Sequence, residues 1–232
     1  MQKKDLIFIA CVLLFFLPFF VIDPLLETYK LFNQQHGMIM SFVKFAILAT
    51  LGEVIGLRIK TGRYHQAGFG VLPRAVVWGI LGLTIQMAFV IFSTGTPQFL
   101  AYLGLSGAPG ILDHPGFSGL KLTTAFLTST AMNLIYAPVM MTIHKITDTH
   151  IEQTGGTISG LLKPFNTGEI MAGINWRVQW GFVFRKTIPL FWIPAHTITF
   201  MLPGEYRVLF AALLGIMLGV LLAIAAVMGK KK

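Results

Sequence analysis

An acid, two amides, an imidazole, a phenol and a hydroxyl stand inside apolar stretches of this 232-residue chain, at Glu53, Gln86, Asn133, His196, Tyr136 and Thr199. Such groups are costly among apolar neighbours unless they are paired or face a hydrated space, so each marks a candidate site. A carboxylate at Glu53 would select cations or carry protons, and an imidazole at His196 titrates near neutral pH. Asn133 and Tyr136 would line a polar path with them. Bland readings stand beside these. Glu53 can be a structural acid, neutralised or paired to fix helix packing. Gln86 reads first as an interhelical hydrogen-bonding group and second as a solute contact.

Spacing decides which neighbours each group has. Ala46, Ala49, Thr50, Glu53 and Gly56 recur at three- and four-residue steps, which puts the acid on a helix face of small residues. Gly52 and Gly56 form a GxxxG that permits close helix approach. Lys44 lies nearly opposite, so a direct pair with Glu53 is not expected and either group pairs with another helix. Around Asn133 the sequence is unusually polar for a crossing: Thr123, Thr124, Thr128, Ser129, Thr130, Tyr136 and Thr142. Ser129 or Thr130, Asn133, and Tyr136 or Ala137 share one face, and Pro138 loosens the backbone there. These hydroxyls either line a polar face or bond carbonyls four residues back.

The elements that carry these residues read as membrane crossings. The chain is 55% hydrophobic and only 12% charged, with mean hydropathy +0.73, too apolar for an ordinary soluble domain. The expected fold is all-α, a polytopic transmembrane bundle of about six spans in one membrane domain. Those spans cover about residues 5–22, 38–57, 74–92, 121–143, 187–202 and 208–228. The first is read as an uncleaved helix rather than a signal peptide, because Asp23-Pro24 follows it instead of a cleavage site. The fifth is the weakest: it is short and broken by Pro189 and Pro194. The net charge of +9 lies in the connections, without aromatic platforms, so nucleic acid is not an expected partner. All Lys and Arg except Lys30, Lys44, Lys121 and Arg207 fall on one side of that six-span topology. This places both termini in the cytoplasm, with the tail lysines 230–232 as a basic stop.

The C-terminal third carries a resemblance. Trp192, Pro194, His196, Thr199, Phe200, Pro203, Tyr206 and Arg207 fall in the order of the signature of the Mpv-seventeen and small peroxisomal membrane protein family. That signature is roughly Trp-Pro, then Gln-x-x-Asn-Phe, then a Pro and a Tyr-Arg. His196 stands for the Gln and Thr199 for the Asn. Ile193 separates the Trp from the Pro, and the gap before Pro203 is one residue short. Leu51-Gly52-Glu53 resembles the Gly-Asp of the family's first helix. The chain thus resembles a bacterial-type member, with residues 1–36 as an added N-terminal helix and loop and 37–232 as the family-like core. The resemblance implies an integral membrane protein of pore or small-metabolite carrier type.

Three functions compete. A small-solute channel or transporter of a bacterial inner membrane would use Glu53, Asn133 and His196 on helices two, four and five. A lipid-modifying enzyme is disfavoured, since HExxH, GxSxG and Walker patterns are all missing from the sequence. A structural or assembly protein would use its small-residue faces for partner helices or a second copy of itself. No cofactor is expected. His144, Asp148 and His150 invite a metal reading, but a site needs a third or fourth ordered ligand, and none is expected here. Cys11 is the single cysteine and reads as a small hydrophobe. Asn175 to Phe184, with Trp176 and Trp180 four apart beside Arg177, reads as a helix lying at the membrane interface, its Trp residues anchors.

Overall fold

The computed structural model describes residues 2–229, without the side chains of 221, 222 and 224–229; the tail lysines 230–232 lie outside the described residues. All regular secondary structure among the described residues is helical, with no strand among them. The chain divides into two compact units, Met1–Met40 and Ser41–Lys232.

In the first unit, α1 (Lys3–Phe16) opens on a capping box between Gln2 and Asp5. It stops two residues before Pro18, whose ring cannot continue the backbone ladder. The apolar run then turns through α2 (Pro18–Val21) and restarts at Asp23-Pro24 as α3 (Asp23–Gln35). The stretch expected as one crossing over 5–22 is therefore interrupted, and its longest helix has 14 residues, short of the ~20 a crossing needs. Phe19 meets Tyr29 edge-on at 5.9 Å, which folds α2 onto α3.

The second unit is a helix bundle. Most of α4 (Gly37–Thr61) belongs to it, followed by α5 (Val71–Tyr102), both long and apolar enough to cross a membrane. The third expected span continues ten residues beyond its expected end at 92 and takes Pro97 into the helix. Then come α6 (Gly119–Ile135), capped by Ser118 on the Lys121 amide at 3.1 Å, and α7 (Ala137–Gln153). These two are one apolar stretch bent by 43° at Tyr136, where Pro138 removes an amide from the ladder. Counted as one span, the pair brings the membrane-capable helices among the described residues to three.

Short helices α8 (Ile158–Leu161), α9 (Thr167–Gly173) and α10 (Trp176–Val178) lead into a π-helical segment, Gln179–Trp192. This passes directly into α11 (Ile193–Met201), and α12 (Gly204–Gly229) follows after the turn at Leu202-Pro203. The interfacial helix expected over 175–184 is only its first turn; the π-helix takes the rest, with Trp180 exposed.

Close approaches set the packing. A Cβ on Gly52 would lie 2.8 Å from the Ile216 backbone, so α4 and α12 touch through glycine. Gly79 and Gly82 likewise admit Phe42 and the Ser41 carbonyl between α5 and α4. α6 packs along both α5 and α11, and Ser129 ties it to α11 through the Ile193 carbonyl at 2.8 Å. Two groups of connections mark the ends of the bundle. At one, Gly70 and Gly156 meet with positive φ (70° for both), a contact that leaves no room for a side chain on either. At the other, buried Arg207 binds the Leu112 carbonyl and the Asp113 carboxylate, both at 2.9 Å.

Candidate functional site

Glu53 has partners on two other helices. Its Oε2 accepts from the Arg74 guanidinium at 2.8 Å. Its Oε1 accepts from Trp78 Nε1 at 2.9 Å and lies 3.0 Å from His144 Nε2. Arg74, only 4% exposed, also reaches Asp148 at 2.6 Å and Glu152 at 2.8 Å. Its Nε donates to the Phe69 carbonyl at 2.7 Å. Helix geometry explains the convergence: Arg74 and Trp78 are one turn apart on α5, and His144, Asp148 and Glu152 are successive turns on one face of α7. That four-residue spacing is visible in the sequence, yet Arg74 reads there only as a connector charge.

The metal reading resolves differently from its sequence form. His150 is elsewhere, stacked on Phe165 at 3.8 Å and facing the Gly160 carbonyl. Glu53, His144 and Asp148 do bring ligand atoms within 4.8 Å of one another. A cation among them is already supplied by the Arg74 guanidinium, which an ion would have to displace.

Behind Glu53 lies a cavity of about 310 Å³. Glu53, Trp78 and His144 line it near the charged cluster, and Asn133, Tyr136, Trp192 and His196 line it further along. Most of the remaining wall is apolar, with Phe45, Ile85, Phe89, Met132, Met140 and Val183 among its members. Four of the six residues singled out for chemistry therefore share one wall. The other two do not line it. Gln86 accepts from Ser41 at 3.0 Å, an interhelical bond, and Thr199, fully buried, donates to the Ala195 carbonyl at 3.0 Å.

Two interrupted helices bracket the cavity. The α6–α7 bend leaves Asn133 one turn before Tyr136, whose hydroxyl pairs with Thr84 at 2.8 Å. The change from π to α at Trp192-Ile193 leaves His196 one turn beyond it. Asn133 donates to the Ser129 carbonyl at 2.8 Å, and its amide nitrogen lies 3.1 Å from His196 Nδ1. Phe89 meets His196 edge-on at 5.7 Å. Discontinuous helices with polar groups at the break are the usual construction of solute sites inside membranes, and π-helical turns gather at functional sites.

The signature residues split by role. Trp192 faces the cavity, Phe200 is buried against Phe89 at 5.2 Å, and Arg207 anchors the 103–118 connection. Pro194, Pro203 and Tyr206 are exposed. Gly52 serves the α4–α12 contact rather than the cavity. No family model, curated protein or solved structure matches the chain.

Proposed function

We propose that the protein is a membrane-embedded carrier or pore for a small solute that passes through the cavity behind Glu53. The observation that carries this is the cavity itself: a bundle built only to hold partners would fill such a space with side chains. Its apolar wall and the full pairing of Glu53 favour an uncharged solute over an inorganic ion. Catalysis is not part of the proposal, and neither is a cofactor. A structural or assembly role is the second reading, favoured by Glu53 being held in an ion network of the kind that fixes helix packing.

The same proposal extends to topology and setting. Six crossings, with α1 and α2 together as the first through Leu17 in helical φ/ψ and both termini cytoplasmic in a bacterial inner membrane, agree with the basic residues at the 62–70 and 154–178 end of the bundle. The 26-residue α12 supplies the last crossing, and the π-helix with α11 the fifth. Membership of the Mpv-seventeen and small peroxisomal membrane protein family rests on the ordered signature from Trp192 to Arg207, and the family's pore or carrier character agrees with the cavity. Self-association through small-residue faces would have to use faces other than Gly52, which α12 covers.

The test is flux into liposomes holding the purified protein, against protein-free liposomes, for salts, sugars, organic acids and uncharged amides or polyols. Protein-dependent entry of an uncharged solute, with potassium and chloride excluded, is expected. Entry of none of them overturns the carrier reading and leaves the structural one.

A further inference from the structure

Asn133 is 1% exposed, and its amide is fixed by its neighbours. The Ser129 carbonyl can only accept, so Nδ2 must face it, and the second Nδ2 hydrogen points to His196 Nδ1. Both donors are then used. Oδ1 remains buried, with no partner in the protein among the described residues. The indole Nε1 of Trp192 is in the same position, a buried donor with no protein acceptor. Both residues line the cavity, and His196 joins them, bonded to Asn133 and 5.2 Å from the Trp192 ring. One unmet acceptor and one unmet donor thus share a wall whose neighbours are Phe89 and Met132. Leaving such groups unmatched in a buried wall is costly, so a solute that matches both gains over one that matches neither.

The charge on that solute follows from what surrounds the pair. The acid of the cavity wall, Glu53, is already matched by Arg74, Trp78 and His144. It lies with His144 about three helical turns along α6 and α7 from Asn133. His196, accepting at Nδ1 from Asn133, is the neutral imidazole with its proton on Nε2. The one cation of the cavity wall, Lys145, follows His144 and so lies at that same far end, about three helical turns from Asn133. An ionised headgroup beside Asn133 would have no counter-charge in contact with it and would bear most of its desolvation cost.

We infer that Asn133 Oδ1 and Trp192 Nε1 form a headgroup site for an uncharged amphiphile. Its polar end both donates and accepts hydrogen bonds, as a hydroxyl, a primary amide or an undissociated carboxyl does. Its apolar body lies along Phe89, Met132 and Met140. This rests on the solute cavity proposed above and names the chemistry it selects.

The experiment uses the full chain in lipid nanodiscs and a medium-chain alcohol carrying a diazirine. Photolabelled residues are mapped by mass spectrometry, with unlabelled alcohol or the alkane of equal length as competitor. Label on Met132, Phe89 or Met140 is expected, with the alcohol competing about tenfold better than the alkane, the ratio two net hydrogen bonds supply. Trp192→Phe keeps a ring in place and removes only the donor; it should lose most of that preference, and Asn133→Leu the rest. Equal competition by alkane and alcohol, an unchanged preference in Trp192→Phe, or no label on the cavity residues overturns the inference. Alcohol preference without flux in liposomes removes the carrier reading alone; flux without preference removes this one alone.

Discussion

Arg74 is the residue on which the charged end of the bundle turns. It is nearly inaccessible and holds carboxylates from α4 and α7 together, so its removal leaves Glu53 and Asp148 as uncompensated acids. Breaking a buried ion pair from one side costs about 3–5 kcal/mol. Arg74→Met should therefore lose stability on that scale in equilibrium unfolding from mixed micelles. Glu53→Gln, which keeps a hydrogen-bonding group of the same shape, should lose about 1–3 kcal/mol. A silent Arg74→Met would mean that the cluster is not formed. Glu152, 59% exposed, adds little to this pairing. Glu53, Asn133, Tyr136 and His196 were each legible in the sequence as polar groups in apolar surroundings. A polar path through them was the expectation; the apolar wall that Phe45, Phe89 and Met132 add to it was not legible, because it joins residues far apart in the chain. Nor was Arg74 as the partner of Glu53, since a basic residue beside a basic loop looks like a topology signal.

Among the elements, the glycine contacts make the sharpest distinction. Gly52 and Gly56 look equivalent as a GxxxG, but only Gly52 is pressed against backbone. A Cβ at Gly56 would first meet the Gly219 carbonyl oxygen at 3.6 Å, ordinary contact. Gly52→Ala should cost about 1–3 kcal/mol through overpacking. Gly56→Ala should be neutral or gain up to about 1 kcal/mol from helix propensity. Thermal midpoints of the two variants in one detergent decide it, and equal losses would contradict the α4–α12 contact. The helix break at Tyr136 was readable from Pro138. The π-helical segment was not, since no residue pattern separates a π-turn from an α-turn over Gln179–Trp192. The early stop of α1 at Pro18 was masked by the continuous apolar run around it.

At the scale of the whole molecule, the two ends of the second unit differ in charge. The end that gathers the 62–70 connection and the Gly155-Gly156 turn has Arg58, Lys60, Arg63 and Lys163 nearby. The opposite end holds Lys121, bonded to the His114 carbonyl at 2.8 Å, and Arg207, bonded to Asp113. Both of these exceptions to the charge asymmetry are buried structural cations, so they do not weaken the orientation that the connections imply. Between the ends lies the cavity, and one residue allows it to be closed without disturbing its polar groups. Gly215 of α12 lines the cavity, and a Cβ there meets nothing within 4 Å. Gly215→Phe would fill the space and, as a glycine replaced inside a helix, should keep or raise stability. The decisive measurement is flux of the uncharged solute through liposomes holding wild type or Gly215→Phe at equal protein content. Passage through this cavity predicts flux falling to the protein-free level in the variant, with its unfolding midpoint unchanged or higher. Undiminished flux in a folded Gly215→Phe would contradict it.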